Sequence, residues 1–131
     1  INTGKTALDK AIKEAKVGNR VGHISTALEK VIKEAGYNPV RLFTGHGVGV
    51  NLHEEPVIPC FLYGKIDDTP KLSQGMVLAI EVIYTEGNSE VVIAPDNWTA
   101  RTQDGKMGGL FEETVVVTEY GPLVVTQTDL S

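Results

Sequence analysis

The chain has 131 residues, of which 41% are hydrophobic and 22% are charged, and its formal net charge is −5. This length fits one domain, which we expect to span residues 1–131, and the composition is that of an ordinary globular protein. The negative charge and the lack of a dense cluster of lysine or arginine argue against a nucleic-acid partner. No apolar run approaches the ~20 residues of a membrane span. The single cysteine excludes an intrachain disulfide, so we expect a reducing, cytoplasmic location.

Two amphipathic helices are predicted at the start of the chain. In residues 4–16, alanine, leucine and isoleucine recur at helical spacing, and Thr3 is a candidate N-terminal cap. Residues 23–35 repeat this pattern and stop at Gly36, a residue typical of helix C-termini. Each helix has one apolar stripe, so both helices need a sheet to pack against.

From Pro39 onward the pattern changes to β-branched and aromatic runs separated by Gly, Pro, Asn and Asp, which is typical of strands. The predicted strands are 39–43, 76–85, 89–94, 98–102, 110–118 and 122–126. Helices followed by strands indicate an α+β fold, in which two helices cover one face of an antiparallel sheet.

Glu81 lies inside residues 76–84, the most apolar stretch of the chain. Dehydrating a carboxylate is costly, so a buried one needs a cationic side chain or a metal ion beside it. No lysine or arginine occurs within this run. The predicted strand 110–118 carries two more carboxylates, Glu112 and Glu113. Strand alternation places these two on opposite faces but does not choose between them, because both faces are apolar.

A histidine flanked by glycines precedes this strand. His46 occupies the centre of Gly45–Gly49, where glycine allows close backbone approach and holds the imidazole in a fixed position. His53 follows seven residues later and, taken alone, is more typical of a turn cap than of a functional residue. Two strand carboxylates and one constrained histidine together indicate part of a metal centre.

Four segments, in their order along the chain, resemble the pita-bread metallopeptidases: Gly45–Gly49, His53–Pro56, Gly75–Glu81 and Glu112–Glu119. Within that superfamily, Asp96–Thr102 is most similar to the type I methionine aminopeptidases. The resemblance covers nearly the whole chain. It implies the C-terminal half of a pita-bread fold, with two helices packed on a curved antiparallel sheet.

The resemblance also implies a role for each matched residue. His46, Glu81 and Glu112 match metal ligands, and Glu112, rather than Glu113, matches the carboxylate that bridges two ions. Glu81 matches a catalytic residue that handles the proton of the nucleophilic water, and His53 matches a catalytic histidine that contacts the scissile amide. The matched substrate-binding positions are Phe43, Leu52, His53 and Trp98.

The implied activity is removal of methionine from the N-terminus of a peptide or nascent protein by metal-activated water. The ligand types suit two divalent ions, with Co, Mn, Fe or Zn all compatible. Relatives complete the site with two aspartates on a β-hairpin that precedes the equivalent of Ile1, so we expect a missing N-terminal half as partner. We expect this chain alone to bind at most one ion, weakly, and to be inactive. Self-association through the apolar surface meant for that half is a further expectation.

Three alternatives stay open. A prolidase or other Xaa-Pro peptidase shares the histidine segments, but those relatives usually place arginine where this chain has Leu110, and Trp98 favours the methionine enzyme. A non-catalytic pita-bread module for protein binding usually loses metal ligands, whereas this chain keeps every ligand that the match assigns to it. A complete mononuclear hydrolase would use His46, His53 and Glu81.

Overall fold

A computed structural model describes residues 1–126 and begins with two helices, α1 (Asn2–Lys13) and α2 (Val21–Glu34). Both helices were predicted. The expected Thr3 cap is wrong, because α1 starts earlier, at an N-cap position occupied by Ile1 without a side-chain hydrogen bond. At the start of α2, the His23 ring accepts a hydrogen bond from the Arg20 backbone N–H at 2.9 Å, which gives His23 a structural role.

Most of the described strands form one antiparallel sheet, and two form a separate hairpin. The sheet order is β3-β2-β4-β7-β8, with β1 pairing beside β2 on the same edge of β4, and β5 pairs with β6. The strands are β1 (Asn38–Pro39), β2 (Gly45–Gly47), β3 (Glu54–Ile58), β4 (Val77–Thr85), β5 (Val91–Ile93), β6 (Ala100–Thr102), β7 (Gly108–Thr118) and β8 (Gly121–Val124). A short 3-10 helix, Ile66–Asp68, lies between β3 and β4.

The main core lies between the helices and one face of the sheet. Fully buried side chains of β4 and β7 point toward α1 and α2 and pack against their apolar stripes. The sheet residues are Leu78, Ile80, Val82, Val115 and Val117, and the helix residues include Ala7, Ala11, Ile24, Leu28 and Ile32. The expected α+β architecture, with one covered face, is confirmed. Within the described residues, no helix has both the length and the apolar character needed to cross a membrane.

Candidate metal centre

Strand pairing brings three predicted ligands to one place on the open face of the sheet. Glu81 of β4 lies directly opposite Glu112 of β7, and on the other edge of β4, His46 lies opposite Ala79. Side chains two residues apart on a strand share a face, so the imidazole and both carboxylates project to the same side. Their ligand atoms all lie within 4.8 Å of one another.

Close backbone contacts explain the glycines around His46. A Cβ atom on Gly45 would lie 2.5 Å from the Ala79 carbonyl oxygen, and one on Gly47 would collide with the Glu55 carbonyl oxygen. Glycine at both positions therefore lets β2 lie tightly between β3 and β4. His46 is buried as a result.

One hydrogen bond sets which imidazole nitrogen faces the carboxylates. The His46 Nδ1 atom lies 2.8 Å from the Gly47 carbonyl oxygen, which can only accept, so Nδ1 carries the proton. The other nitrogen, Nε2, is then free to act as a ligand and lies 3.5 Å from the Glu81 Oε1 atom. A histidine whose Nδ1 bonds a backbone carbonyl in this way presents Nε2 as its ligand atom.

Electrostatics at the cluster favour a cation. Burial, followed by repulsion from Glu112, raises the pKa of Glu81, while His46 lowers it. In residues 1–126, His46 is the only basic side chain within 4.0 Å of either carboxylate. A set of one imidazole and two carboxylates matches the donors that divalent Mn, Fe, Co and Zn accept, so these residues fit a metal ion.

The burial of Glu81 differs from what its apolar sequence suggests. Its side chain is 15% exposed, and Glu112 is more exposed still. Most of the large apolar neighbours of Glu81 in sequence point to the opposite, helix-covered face, for example Ile80 and Val82. The hydrophobic run therefore reflects the residues that pack against the helices, whereas the Glu81 carboxylate is partly exposed to solvent on the other face.

Tertiary packing separates Glu112 from Glu113. Glu113 points to the helix side of β7, where its carboxylate accepts a hydrogen bond from the Thr126 hydroxyl. Glu112 alone of the two reaches the cluster with His46 and Glu81.

The remaining predicted site residues lie around the cluster at different distances. The exposed His53 ring packs beside His46, with ring centroids 4.3 Å apart, but it is not one of the clustered ligands. Phe43 lines a groove of about 370 Å³ together with Ile83 and Leu110, which are on the same sheet face as the ligands. Leu52 and Trp98 are 70% and 88% exposed and are not among the described residues that line this groove.

Sequence reasoning missed one residue that contacts the backbone of a clustered carboxylate. Cys60 had suggested only a reducing environment, yet its thiol lies 3.3 Å from the Glu81 carbonyl oxygen. This contact arises because the segment after β3 packs on the edge of β4. No local pattern around Cys60 signals it.

An imidazole and two carboxylates on the open face of a helix-covered antiparallel sheet define a candidate metalloprotein of the pita-bread class. Residues 1–119 match the family model described as metallopeptidase family M24. The chain belongs to that family.

Similarity to curated proteins extends over almost the whole chain. The methionine aminopeptidase of Aquifex aeolicus is 38% identical over 123 residues, which cover 94% of this chain and 48% of that protein. Methionine aminopeptidase 1 of Bacillus subtilis is 42% identical over 121 residues, with 92% and 48% covered. The chain thus spans about half the length of these curated relatives.

Solved structures give the same result for the fold. The methionine aminopeptidase of Thermotoga maritima aligns with a TM-score of 0.92 and 39% identity, covering 98% of this chain and 51% of that one. A prolidase from Pyrococcus furiosus aligns with a TM-score of 0.70 and 28% identity, covering 98% of this chain and 32% of that one. The resemblance to pita-bread methionine aminopeptidases is confirmed, as is the pita-bread fold.

Proposed function

We propose that this chain is part of an aminopeptidase that removes methionine from the N-terminus of peptides or nascent proteins with the help of a divalent metal ion. The observation that carries the proposal is the convergence of His46, Glu81 and Glu112 within 4.8 Å on the open face of the sheet. The names of the most similar relatives support methionine as the residue removed.

The chain's own residues suit amide hydrolysis. A divalent ion held here would supply Lewis acidity and would make a nearby water more acidic. Glu81 is a stronger base than a fully hydrated carboxylate, because burial and the charge of Glu112 raise its pKa. We assign Glu81 as the acceptor of the water proton. His53, exposed beside His46, is assigned to contact the scissile amide.

Substrate contacts are proposed from exposure and position. The groove at Phe43 includes Ile83, which lies two residues from Glu81 on the same sheet face. Its lining is mostly apolar, so it suits an extended peptide. Leu52 and Trp98 are apolar side chains that stay largely exposed in this chain. We propose that they contribute to the pocket for the terminal side chain once the rest of the fold covers them.

The backbone of β7 offers a place for that remaining half. The Val117 N–H and C=O groups bond toward the β4 side of the sheet. In an antiparallel strand, alternate residues direct their backbone N–H and C=O groups to opposite edges. The groups of Gly108, Leu110 and Glu112, which lie an odd number of residues from Val117, therefore point to the edge of β7 away from β4. β8 covers that edge only from Val115 onward, so among the described residues Gly108–Glu112 have no strand partner there. We propose that this edge receives the missing N-terminal half of the catalytic fold.

The negative charge of the ligand residues limits the number of metal ions that the isolated chain can bind. Two divalent ions carry four positive charges, whereas Glu81 and Glu112 neutralise two and His46 binds as a neutral ligand. We propose that a second ion needs ligands from the missing half, as a dinuclear site would require. The isolated chain then binds at most one ion, weakly, and is inactive.

Metal analysis and peptide hydrolysis test this proposal together. After equilibration with Co(II) or Zn(II), the isolated chain should retain at most one equivalent and leave a Met-Ala-Ser peptide uncut. Co-expression with the N-terminal half of the Thermotoga maritima enzyme should restore hydrolysis, and Glu81→Gln in the same assembly should abolish it. Two tightly held equivalents, or hydrolysis by the isolated chain, would contradict the proposal.

The similarity to prolidase structures keeps a second activity in view. The same assembly, offered Met-Ala and Ala-Pro peptides in parallel, distinguishes the two activities, and we expect cleavage of the methionine peptide only. An assembly that binds metal and a partner protein but cuts neither peptide would instead support a non-catalytic binding module.

A further inference from the structure

One edge of β4 has a gap in its strand pairing beside the candidate metal centre. On this edge β2 pairs with Leu78 and Ala79, and β1 pairs with Tyr84 and Thr85. Within the described residues 1–126, the four residues in between, 80–83, have no strand partner on that side. Buried backbone carbonyl groups without a partner are destabilising, so this gap has to be closed by other groups.

Two donors from outside the sheet ladder close the gap. The Val40 backbone N–H donates to the Ile83 carbonyl oxygen at 2.9 Å. The Cys60 thiol donates to the Glu81 carbonyl oxygen, with the sulfur 3.3 Å from the oxygen. Cys60 lies just after β3 and is completely buried. A side chain thus takes the place of a neighbouring strand at a proposed metal ligand.

We propose that Cys60 is a positioning residue for the metal centre: its thiol fixes the Glu81 backbone and so holds the Glu81 carboxylate toward His46. This inference rests on the proposed metal-dependent function. The carboxylate lies only 3.5 Å from His46 Nε2, so a small rotation of the Glu81 backbone would move it out of the ligand cluster. Groups that orient metal ligands from behind typically change affinity by about 10- to 100-fold when removed.

The surroundings of Cys60 suit a permanent donor. The Cys60 side chain has no surface exposed to solvent. Val40 and Ile83 pack with Cys60 in a small buried cluster separate from the main core. The thiol is therefore held in place and shielded from competing water.

A vibrational measurement tests the hydrogen bond directly. Cys60 is the only cysteine, so the S–H stretching band in a Raman spectrum belongs to it alone. We expect this band at a lower frequency in the folded chain than in the chain unfolded in urea, because donation weakens the S–H bond. Equal frequencies in the two states would overturn the inference.

Co(II) titration tests the positioning role. Cys60→Ala should weaken Co(II) binding about tenfold and alter the visible spectrum of the bound ion, whereas Cys60→Ser, which keeps a donor, should recover most of the affinity. Val40→Ala is the matched control, because it removes volume from the same cluster but keeps the backbone bond to Ile83. It should leave the affinity close to that of the parent chain.

The Co(II) titrations distinguish a failure of the positioning role of Cys60 from a failure of the proposed metal centre. Equal losses in Cys60→Ala and Val40→Ala, or a serine variant no better than alanine, would show a general packing effect and overturn the positioning role alone. A parent chain that binds no Co(II) would contradict the proposed metal centre, and this inference would fail with it.

Discussion

The two faces of the β4–β7 pair differ sharply although the same two strands build both. The covered face presents Ile80, Val82 and Val115 to the helices, and each is fully buried. On the open face, Glu81 and Glu112 stand opposite each other with access to solvent. Residues adjacent in sequence thus have separate tasks, because strand alternation sends one to the core and the next to the site.

This difference explains how a carboxylate sits within a long hydrophobic run. The run owes most of its apolar character to the helix-covered face, where burial stabilises the fold. Glu81 keeps part of its hydration on the other face, so the cost of its charge is moderate. Each face can therefore be changed without directly touching the other.

The largest effect is expected on the covered face. Ile80→Ala should reduce the free energy of unfolding by about 2–5 kcal/mol, because it leaves a cavity among fully buried side chains. Leu110→Ala, on the open face and 58% exposed, should change it by about 0.5 kcal/mol or less. Urea denaturation of both variants gives the comparison. Similar losses would show that the open face is also part of the core.

Of the two neighbouring carboxylates on β7, only the one on the open face should contribute to metal binding. Glu112→Gln should weaken Zn(II) or Co(II) binding by more than about 100-fold, beyond the range usual for groups that only orient a ligand. Glu113→Gln changes the neighbouring carboxylate, which points to the helix side and accepts a bond from Thr126. It should leave metal affinity nearly unchanged. Isothermal titration of the two variants decides, and equal losses would contradict the assignment of Glu112.

Sequence patterns predicted the long elements well, because periodicity is clear over many residues. Both helices and the strands β4 and β7 were predicted within a few residues. The short strands β2 and β3 were not predicted, because glycine and charged residues hide their strand character and pairing with β4 creates it. Of the predicted strand 39–43, only Pro39 lies in a strand, β1, and residues 40–43 do not.

The candidate site shows the same division. Sequence reasoning found the constrained His46 and the embedded Glu81 from local chemistry. It could not choose between Glu112 and Glu113 by alternation, since that choice depends on which face α1 covers. The Cys60 contact was also out of reach, because it joins residues 21 positions apart through a loop. What the sequence lacked in each case was the packing of distant elements.

We expect copies of the chain to associate through the open face, and a substitution there should change this association less than the substitutions above change stability or metal affinity. Leu110 and Leu123 project from this face and are 58% and 55% exposed, so sedimentation velocity should show association that increases with concentration. Leu123→Lys should weaken it by about tenfold or less, since fully burying a leucine is worth about 1.5–3 kcal/mol and Leu123 is already half covered. Val17→Lys, at a similarly exposed position between the helices, should have no effect. A monomeric parent chain would contradict the prediction.

The smallest expected effect concerns the charge of Glu81 in the metal-free chain. Its pKa is raised in the folded state by burial and then by Glu112, so folding favours its protonated form. That contribution to stability is fully present below the ordinary carboxyl pKa and is lost as pH rises through the raised pKa of the folded state. At neutral pH, Glu81→Gln should therefore stabilise the metal-free chain, by less than about 1 kcal/mol.

The difference in stability between Glu81→Gln and the parent chain, followed against pH, isolates the contribution of Glu81. Asp96 and Asp104 have lowered pKa values, owing first to hydrogen bonds from the Thr99 hydroxyl and the Asn88 backbone N–H respectively, and they impose the opposite slope on stability against pH. Their contribution cancels in the difference between the urea midpoints of the two chains. That difference should increase from mildly acidic to neutral pH without metal, and Zn(II) should reverse its sign, because the ion stabilises only the chain that keeps the carboxylate. A difference independent of pH and of Zn(II) would show that Glu81 is hydrated like any surface carboxylate and has no cation to hold.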